Sequence, residues 1–277
     1  MPHACRKRLL HRRGVFRNTV YDYYARHGRD LPWRRASEPY RILVSEIMLQ
    51  QTQVSRVLTK YDLFLRHFPT VFALAKAPLY KVIAAWQGLG YNRRALALKR
   101  LAQAVVSHYA GKIPERLEEL QLLPGIGKAT AGAICAFAFN QPAVFIETNI
   151  RSVFIHHFFK GCAHVDDDEL LPYVERELDR RNPRRWYSAL MDYGVYLKEQ
   201  NPNPSRKSSH YVKQSPFQGS DRQVRGQIIK ILVARRSTSV NELSRLIGRK
   251  RFSLILAALQ RDGLITQKGV RVSIRSL

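Results

Sequence analysis

One short turn between two apolar helical patterns constrains the fold of this chain more than any other feature. The apolar run that ends near Leu123 is broken at residues 124–127 (Pro-Gly-Ile-Gly), and a second helical pattern opens at Lys128. Glycines on both sides of one apolar residue let the backbone turn sharply and approach a partner closely. The second helix then presents unpaired N–H groups and a positive dipole end, which can hold a phosphate without reading a base. The pattern predicts a phosphate-binding turn, and a plain structural turn is the alternative.

The charge of the chain agrees with a polyanionic partner. Its 277 residues carry 47 Lys and Arg against 21 Asp and Glu, a net charge of +26. Such a surface binds DNA or RNA by releasing counterions from the phosphates. Ribosomal and membrane-surface proteins are also basic, but a content of 45% hydrophobic and 10% aromatic residues predicts a substantial folded core. No apolar run approaches the roughly 18 residues that a membrane span needs, so we expect no membrane contact.

Up to residue 200 the chain shows the 3.6-residue apolar spacing of amphipathic helices, broken by Gly, Pro and Asn. This spacing predicts an all-α domain over residues 1–200. Residues 201–219, rich in Asn, Pro and Ser, are predicted to be a linker. Residues 220–277 have the pattern of three helices and a hairpin, which predicts a small winged-helix (α+β) domain. From Phe217 onward 13 Lys and Arg face only 3 Asp and Glu, which favours contact with DNA over docking to another protein.

One carboxylate, Glu46, lies within an apolar segment, Arg41–Gln53, that has helical spacing. Its neighbours on the same helix face are apolar apart from Gln50. Because loss of solvation disfavours the charged form, we expect a raised pKa for Glu46. Such a carboxyl is a suitable general acid near neutral pH. The alternative is a structural glutamate that a buried arginine or a helix N-terminus satisfies.

A second carboxylate, Glu147, ends another apolar run, and a helix begins directly after it at Thr148 or Asn149. A helix N-terminus favours negative charge, so we expect Glu147 to stay ionised. Two carboxyls held in opposite states suit the cleavage of a bond to an anomeric carbon. One protonates the leaving group and the other stabilises an oxocarbenium-like sugar. An ordinary charge at the start of a helix is the alternative for Glu147.

Five motifs in the first two hundred residues resemble those of one enzyme family. They are Leu31-Pro32-Trp33-Arg34, residues 45–54 (SEIMLQQTQV), Phe68-Pro69-Thr70, residues 86–91 (WQGLGY) and residues 123–134 (LPGIGKATAGAI). Over roughly residues 15–200 the chain resembles a helix-hairpin-helix (HhH-GPD) DNA glycosylase, and among these the adenine mismatch (MutY-type) branch. The resemblance implies a two-lobed all-α fold, with residues 30–140 as the helix-hairpin-helix lobe and the remainder of the domain as the second lobe.

The resemblance also implies a partner and a binding mode. The target nucleotide is expected to be flipped into a pocket between the lobes, since the glycosidic bond cannot be reached inside the base stack. The expected partner is double-stranded DNA that contains a mismatch or a lesion, bound by a monomer.

The same resemblance assigns roles to individual residues. Glu46 occupies the general-acid position, and Asn149 matches an active-site asparagine, so that with Glu147 they form the expected catalytic set. Gln51 and Tyr91 lie where the MutY-type branch inserts side chains into the duplex, a helix-surface amide and a core aromatic being the alternatives. The other residues expected to contact DNA are Arg34, Gln50, Gly125, Gly127, Lys128 and Thr130.

Two departures from the family pattern bear on the chemistry. Glu147 stands where the family has an aspartate, and a carboxylate longer by one methylene can shift the geometry by about 1 Å. Ala129 stands where bifunctional members similar to endonuclease III carry a lysine nucleophile, and we expect the adjacent Lys128 to point elsewhere. We therefore expect no efficient β-elimination and no AP-lyase activity.

Two further departures concern the cofactor and the C-terminal segment. Lys198, Ser205 and Ser208 stand near the expected places of the cluster-binding cysteines, and no cysteine follows Cys162. We expect no iron–sulfur cluster, no other metal and no cofactor. The winged-helix segment is too short to be the larger domain with which adenine glycosylases recognise 8-oxoguanine. The base opposite the target therefore stays open.

Together these features predict a monofunctional DNA glycosylase of base excision repair, with adenine opposite guanine or 8-oxoguanine as the favoured target. A glycosylase for mismatched pyrimidines or damaged bases on the same scaffold is the first alternative. A lesion-binding protein with impaired catalysis is the second. Three scattered cysteines, Cys5, Cys135 and Cys162, fit a reducing compartment. We expect a cytoplasmic protein, associated with the nucleoid if its source is bacterial.

Overall fold

Helices follow one another along the first two hundred residues of the computed structural model, which describes residues 14–200, 202–248 and 251–276. The N-terminal residues 1–13 of the expected first domain lie outside the described residues. The helices are α1 (Val15–His27), α2 (Pro32–Arg35), α3 (Pro39–Leu49), α4 (Val54–His67), α5 (Val71–Lys76), α6 (Leu79–Ala85), α7 (Arg93–Tyr109), α8 (Leu117–Gln121), α9 (Lys128–Phe139), α10 (Thr148–Phe158), α11 (Asp167–Glu177) and α12 (Pro183–Gln200). The all-α class expected for this part of the chain is confirmed.

One compact unit comprises the described residues up to Ile42 together with Glu115–Gln121 and Gly127–Lys213. In this unit α1 and α10 both pack on α12. The ring of Phe16 meets the rings of Phe154 and Trp186 edge-to-face, at centroid distances of 5.3 and 5.9 Å. Such aromatic packing adds to the stabilisation that burial alone provides. The Phe16 ring thus contacts both α10 and α12 and helps to hold the two helices side by side.

The other unit comprises Leu43–Pro114, Leu122–Ile126 and the described residues from Gln214 onward. Here α5 packs on α7 and α4 packs on α6. The buried Trp86 ring meets the ring of Phe64 edge-to-face at 5.8 Å. Lys99 of α7 is also buried, and its ammonium donates to the carbonyl of Ala75 at 3.0 Å, near the C-terminus of α5 where a cation is favoured.

The C-terminal residues form the three helices and the hairpin that the sequence predicts, arranged as a winged helix. The elements are α13 (Asp221–Arg235), β1 (Ser237–Ser239), α14 (Val240–Ile247), α15 (Phe252–Arg261), β2 (Ile265–Lys268) and β3 (Arg271–Ile274). The strands form an antiparallel sheet in the order β1-β3-β2, with Thr238 opposite Val272 and Gln267 opposite Val272. Strand β1 was not predicted, because its Ser-Thr-Ser sequence has no apolar alternation.

Part of the segment predicted to be a linker is packed. Residues Pro204–Lys207 form a 3₁₀ turn that packs on α10, and Ser205 and Ser208 are buried. The side chain of Asn203 accepts from the N–H of Ser205 and so caps the turn. In the described part of the chain, the helices are either too short or too polar for any of them to cross a bilayer.

Candidate active site and DNA-contacting loops

Residues 122–127 connect α8 to α9 as the predicted turn. Gly125 has a φ of 84°, and a Cβ added there would lie 2.9 Å from the Cβ of Ala97, so both the backbone conformation and the space require glycine. The N–H of Ile126 donates to the carbonyl of Leu123 at 3.1 Å and closes the turn.

The helix that follows begins without a side-chain cap. Gly127 is the N-cap residue of α9, and it has no side chain with which to cap the helix. Gly127 and Lys128 are exposed and Thr130 is partly exposed. The N–H groups at the start of α9 suit a phosphate oxygen, which is the contact predicted for this turn. Ala129, which stands where bifunctional family members are expected to carry a lysine nucleophile, is exposed as well.

Glu46 lies on α3, partly exposed among buried neighbours such as Leu43, Val44 and Ile47. The helix ends at Leu49, so the prediction that it continues to Gln53 is wrong at this end. Gln51 has a φ of 54°, a left-handed conformation that an α-helix does not contain. Gln51 is therefore a loop residue, and the alternative of a helix-surface amide does not apply. Its insertion into the duplex stays a prediction.

One guanidinium holds the loop that contains Gln51. Arg94 Nη1 donates to the carbonyls of Ile47 and Met48 at 2.9 and 2.8 Å and also to that of Gln50. These are carbonyls that the end of α3 leaves without an intrahelical partner. Arg94 Nη2 donates to the hydroxyl of Thr52 at 2.7 Å. Because the guanidinium is buried, the pKa of Arg94 falls to about 10, which still leaves it charged at neutral pH.

The same guanidinium also holds the loop that contains Tyr91. Arg94 Nη2 donates to the carbonyls of Leu89 and Gly90 at 3.1 and 3.2 Å. Tyr91, with a φ of 47°, has the left-handed conformation too, and its ring lies 5.5 Å from the guanidinium carbon. Arg94 thus joins the two loops that carry the predicted inserting side chains. Arg94 was not among the site residues predicted from the sequence. An arginine in the first turn of a helix opposes the helix dipole, which indicates that its charge serves a contact elsewhere.

The hydroxyl of Tyr91 is bonded to residues from the C-terminal part of the chain. Arg222 Nη1 donates to it at 3.1 Å, and the amide of Gln214 donates to it as well. Tyr91 is partly exposed and makes these polar contacts, so it is not the core aromatic of the alternative interpretation. Gln50 directly follows α3, and its Nε2 donates to the carbonyl of Gly125 at 3.4 Å.

Glu147 is the N-cap residue of α10. Its Oε1 accepts the backbone N–H groups of Asn149 and Ile150 at 2.7 and 3.0 Å. Its Oε2 accepts from the side-chain amide of Asn149 at 3.2 Å. Burial raises the pKa of Glu147, and the backbone donors and the charge of Lys198 oppose this rise. The arrangement holds the carboxyl group in a fixed orientation at the start of a helix, where the sequence places it. That Glu147 stays ionised remains a prediction.

Lys198, near the end of α12, completes this group. Its Nζ donates to Oδ1 of Asn149 at 2.5 Å. Burial lowers the pKa of Lys198, and the nearby Glu147 carboxylate opposes that shift. In the sequence, Lys198 stands out only as a residue near the expected place of a cluster-binding cysteine. No local pattern could have connected it with a residue 49 positions earlier.

Arg34, expected to contact DNA, is engaged within the protein. Its Nη1 and Nη2 each donate to one carboxylate oxygen of Asp192 at 2.7 Å, and Arg29 donates to the same carboxylate. Hydrogen bonds from both arginines hold the pKa of Asp192 below its usual value despite burial. Such a bidentate pair fixes the guanidinium plane. The DNA contact of Arg34 stays a prediction, and its observed partner is Asp192.

The family implies an iron–sulfur cluster near the end of α12, and the donors present there do not fit one. Lys198 bonds Asn149, and Ser205 Oγ donates to the side chain of Asn203 at 2.7 Å. Ser208 Oγ accepts the N–H of His210 at 3.1 Å. Ammonium and hydroxyl groups do not replace the thiolates that bind such clusters. Across the described residues no group of three or more His, Cys, Asp or Glu side chains is placed to hold a metal ion.

Comparison with known proteins agrees with this geometry. Residues 44–170 match the model of the HhH-GPD superfamily base excision DNA repair proteins. The adenine DNA glycosylase of Mycolicibacterium smegmatis is 33% identical, and the similarity covers 90% of this chain and 92% of the relative. That of Mycobacterium tuberculosis is 34% identical and is covered to 76%. The relative from Buchnera aphidicola is 40% identical, but the chain spans only 53% of its length, and it spans 35% of the human one.

Solved structures give the same fold. A thermostable thymine-DNA glycosylase matches with a TM-score of 0.61 and 27% identity, over 72% of this chain and 96% of that one. An endonuclease III trapped as a covalent intermediate with DNA matches with a TM-score of 0.52 at 18% identity, over 73% of this chain and 87% of that one. These matches confirm the helix-hairpin-helix glycosylase fold expected from the motifs. The chain belongs to the HhH-GPD superfamily of base excision DNA repair proteins, on the branch of the adenine DNA glycosylases.

Proposed function

We propose that the chain is a monofunctional DNA glycosylase that hydrolyses the N-glycosidic bond of adenine mispaired in double-stranded DNA. The observation that carries the proposal is the carboxylate of Glu147, which two backbone N–H groups hold at the start of α10. A fixed negative charge of this kind stabilises an oxocarbenium-like sugar. Relatives at 33–34% identity, which the chain covers to three quarters or more, are adenine DNA glycosylases and support the choice of base.

The proposed reaction needs two carboxyl groups in different states. The Glu46 carboxyl donates its proton to a ring nitrogen of the flipped adenine, and the bonding electrons of the glycosidic bond leave with the base. The Glu147 carboxylate stabilises the positive charge that develops at the sugar. Water then adds to the anomeric carbon, and its proton returns to Glu46. The products are free adenine and an abasic site, and no step passes through a cofactor.

Three finer assignments belong to the same proposal. Ala129 has no amine with which to form a Schiff base, so the abasic strand stays uncut. No cysteine follows Cys162 in the sequence, which supports a protein without an iron–sulfur cluster. We further propose that the protein acts as a monomer on cytoplasmic DNA.

A panel of end-labelled duplexes tests the proposal. Each duplex carries one mismatch or lesion, and each reaction is divided between alkali and neutral quenching. We expect cleavage after alkali only, with adenine opposite guanine or 8-oxoguanine as the best substrate. Strand cleavage without alkali would contradict the monofunctional assignment. Turnover of no duplex, together with tight binding to a mismatch, would favour the lesion-binding alternative.

A second target class has one observation in its favour. The thermostable thymine-DNA glycosylase shares the fold at 27% identity, so thymine opposite guanine belongs in the panel. Faster release of thymine than of adenine would replace the adenine assignment. In either case Glu46→Gln should remove turnover and leave mismatch affinity largely intact, while Glu38→Gln, an exposed carboxylate paired with Arg41, serves as the control.

A further inference from the structure

Lys198 contacts the candidate active site through a side chain of α10. Its Nζ donates to Oδ1 of Asn149 at 2.5 Å, and the Nδ2 of Asn149 donates to Oε2 of Glu147 at 3.2 Å. The three side chains form one hydrogen-bonded row that ends on the candidate catalytic carboxylate. Both α10 and α12 belong to the same compact unit.

The close approach of the two helices makes this row possible. A Cβ added to Gly194 would lie 2.5 Å from the carbonyl oxygen of Asn149 and 2.7 Å from its Cβ. The absence of a side chain at position 194 therefore lets α12 lie directly against the start of α10. Lys198 follows Gly194 by four residues, which places the two on the same face of α12. The helix contact thus brings the lysine to Asn149.

The hydrogen-bonding character of lysine determines how the Asn149 amide is oriented. An ammonium can only donate, so the atom of Asn149 that faces Lys198 has to be the oxygen. The amide nitrogen then faces Glu147 and donates to its carboxylate. An apolar side chain at position 198 would no longer favour this orientation over a flipped one, and the flipped amide would place its oxygen against the carboxylate.

The charges in this region support the same arrangement. Burial disfavours the charged forms of both Glu147 and Lys198, and the charge on each side chain favours the charged form of the other. The positive charge of Arg29 lowers the pKa of Lys198, and the negative charge of Glu199 raises it. The backbone N–H groups of Ile150 and Asn149 and the side-chain amide of Asn149 also stabilise the carboxylate.

We propose that Lys198 is a positioning residue of the active site, which sets the amide of Asn149 and keeps the Glu147 carboxylate ionised and directed toward the sugar. The inference rests on the proposed function, because it assigns Lys198 to the same reaction. Lys198 itself exchanges no proton with substrate and forms no bond to it.

The first test combines kinetics with affinity. Lys198→Met should lower the single-turnover excision rate by roughly 10²-fold, as expected for a carboxylate displaced by about 1 Å. Affinity for a duplex with a non-hydrolysable 2′-fluoro adenosine should change by less than about threefold, since the amine is bonded to Asn149 within the protein. The acid limb of the pH–rate profile should move to higher pH, because loss of a positive charge raises the pKa of Glu147.

Three further variants separate positioning from a general loss of charge or of fold. Lys198→Arg keeps a donor-only cation and should return the acid limb toward its wild-type position. Lys160→Met removes an exposed lysine of the same unit and should leave the rate and the pH profile unchanged. Lys198→Met combined with Asn149→Ala should be no slower than Asn149→Ala alone, because the two residues act in one row. An unchanged rate in Lys198→Met, or additive effects in the double variant, would overturn the proposal.

A direct titration keeps the inference separate from the proposed function. The carboxyl carbon of Glu147 can be followed by NMR in glutamate-labelled protein and assigned with Glu147→Gln. We expect a higher pKa for this carboxyl in Lys198→Met than in wild type, whether or not the protein excises a base. A shifted titration in a protein without turnover refutes only the proposed function. A borohydride-trapped adduct to abasic DNA that Lys198→Met abolishes would refute the positioning role, because the amine would then be a nucleophile.

Discussion

Arg94 is bonded to the chain on both sides of Gln51, to the carbonyl of Gln50 and to the hydroxyl of Thr52. It holds the Tyr91 loop through the carbonyls of Leu89 and Gly90. Two loops that are about forty residues apart in the chain therefore depend on one partly buried cation.

Arg94→Met should loosen both loops at once. The substitution leaves several buried carbonyls without a donor, and each unsatisfied group costs about 1–3 kcal/mol. We expect the free energy of unfolding to fall by roughly 2–4 kcal/mol and excision to slow by more than about 10²-fold. Urea denaturation and single-turnover kinetics measure the two effects. Arg93→Met, which removes an exposed arginine 3.7 Å from Asp262, should change stability by less than about 0.5 kcal/mol. Equal losses in both variants would refute the role of Arg94.

Gln51→Gly should separate stability from activity. Gln51 has a φ of 54°, and a non-glycine residue in this conformation costs about 1–2 kcal/mol. Glycine removes that cost, so we expect a higher midpoint of urea denaturation together with a loss of excision and of mismatch affinity. The matched control is Ala110→Gly, since Ala110 has a φ of 50° at the end of α7. The control should be stabilised by a similar amount and keep full activity. Full activity in Gln51→Gly would exclude the insertion of its side chain.

The pH dependence of stability should show the cost of burying Glu147. Burial raises its pKa above the ordinary value of 4.5, so between 4.5 and the folded value the native state retains a proton that the unfolded state has lost. Stability therefore falls as the pH rises through this window and levels off above the folded pKa. Glu147→Gln should lack this decline, so its stability relative to wild type should rise with pH across the window. Denaturation of both proteins from pH 4 to pH 8 tests this. Glu118→Gln, an exposed carboxylate, should give a profile parallel to wild type.

The protein should be independent of iron. We expect no visible absorption band of an iron–sulfur cluster after purification from iron-replete cells, and no loss of activity or stability with a chelator. A stoichiometric iron content would refute this prediction.

The 3₁₀ turn at Pro204–Lys207 should depend on its Asn203 cap. Asn203→Ala should therefore lower the free energy of unfolding by about 1 kcal/mol, which urea denaturation measures.

The predictable part of the molecule is the part that local pattern determines. The turn at residues 124–127, the start of α9 at Lys128 and the start of α10 after Glu147 follow from glycines, apolar spacing and capping preference. The end of α3 was not predictable in the same way. The apolar and amide pattern continues through Gln53, but the helix ends at Leu49, and Arg94, far along the chain, bonds the carbonyls that this end leaves without an intrahelical partner.

The missed site residues share this non-local origin. Lys198 and Asn149 meet only because α12 packs on α10 with glycine at position 194, and periodicity does not report which helix faces which. The same holds for the partners of Arg34. The motif around Arg34 predicts a contact with DNA, whereas the observed bidentate partner, Asp192, lies 158 residues later in the chain. Residue type and spacing predict the two candidate carboxylates, and tertiary packing determines that Lys198 accompanies Glu147.

The bonds from Gln214 and Arg222 to the Tyr91 hydroxyl also matter for the choice of protein to study. A fragment that stops before residue 214 would lack both donors, although it would keep every predicted catalytic side chain. Mismatch preferences recorded for such a shortened protein would describe a tyrosine released from its partners. Only a protein that includes Gln214 and Arg222 can report how tightly that ring is restrained before it meets a base pair.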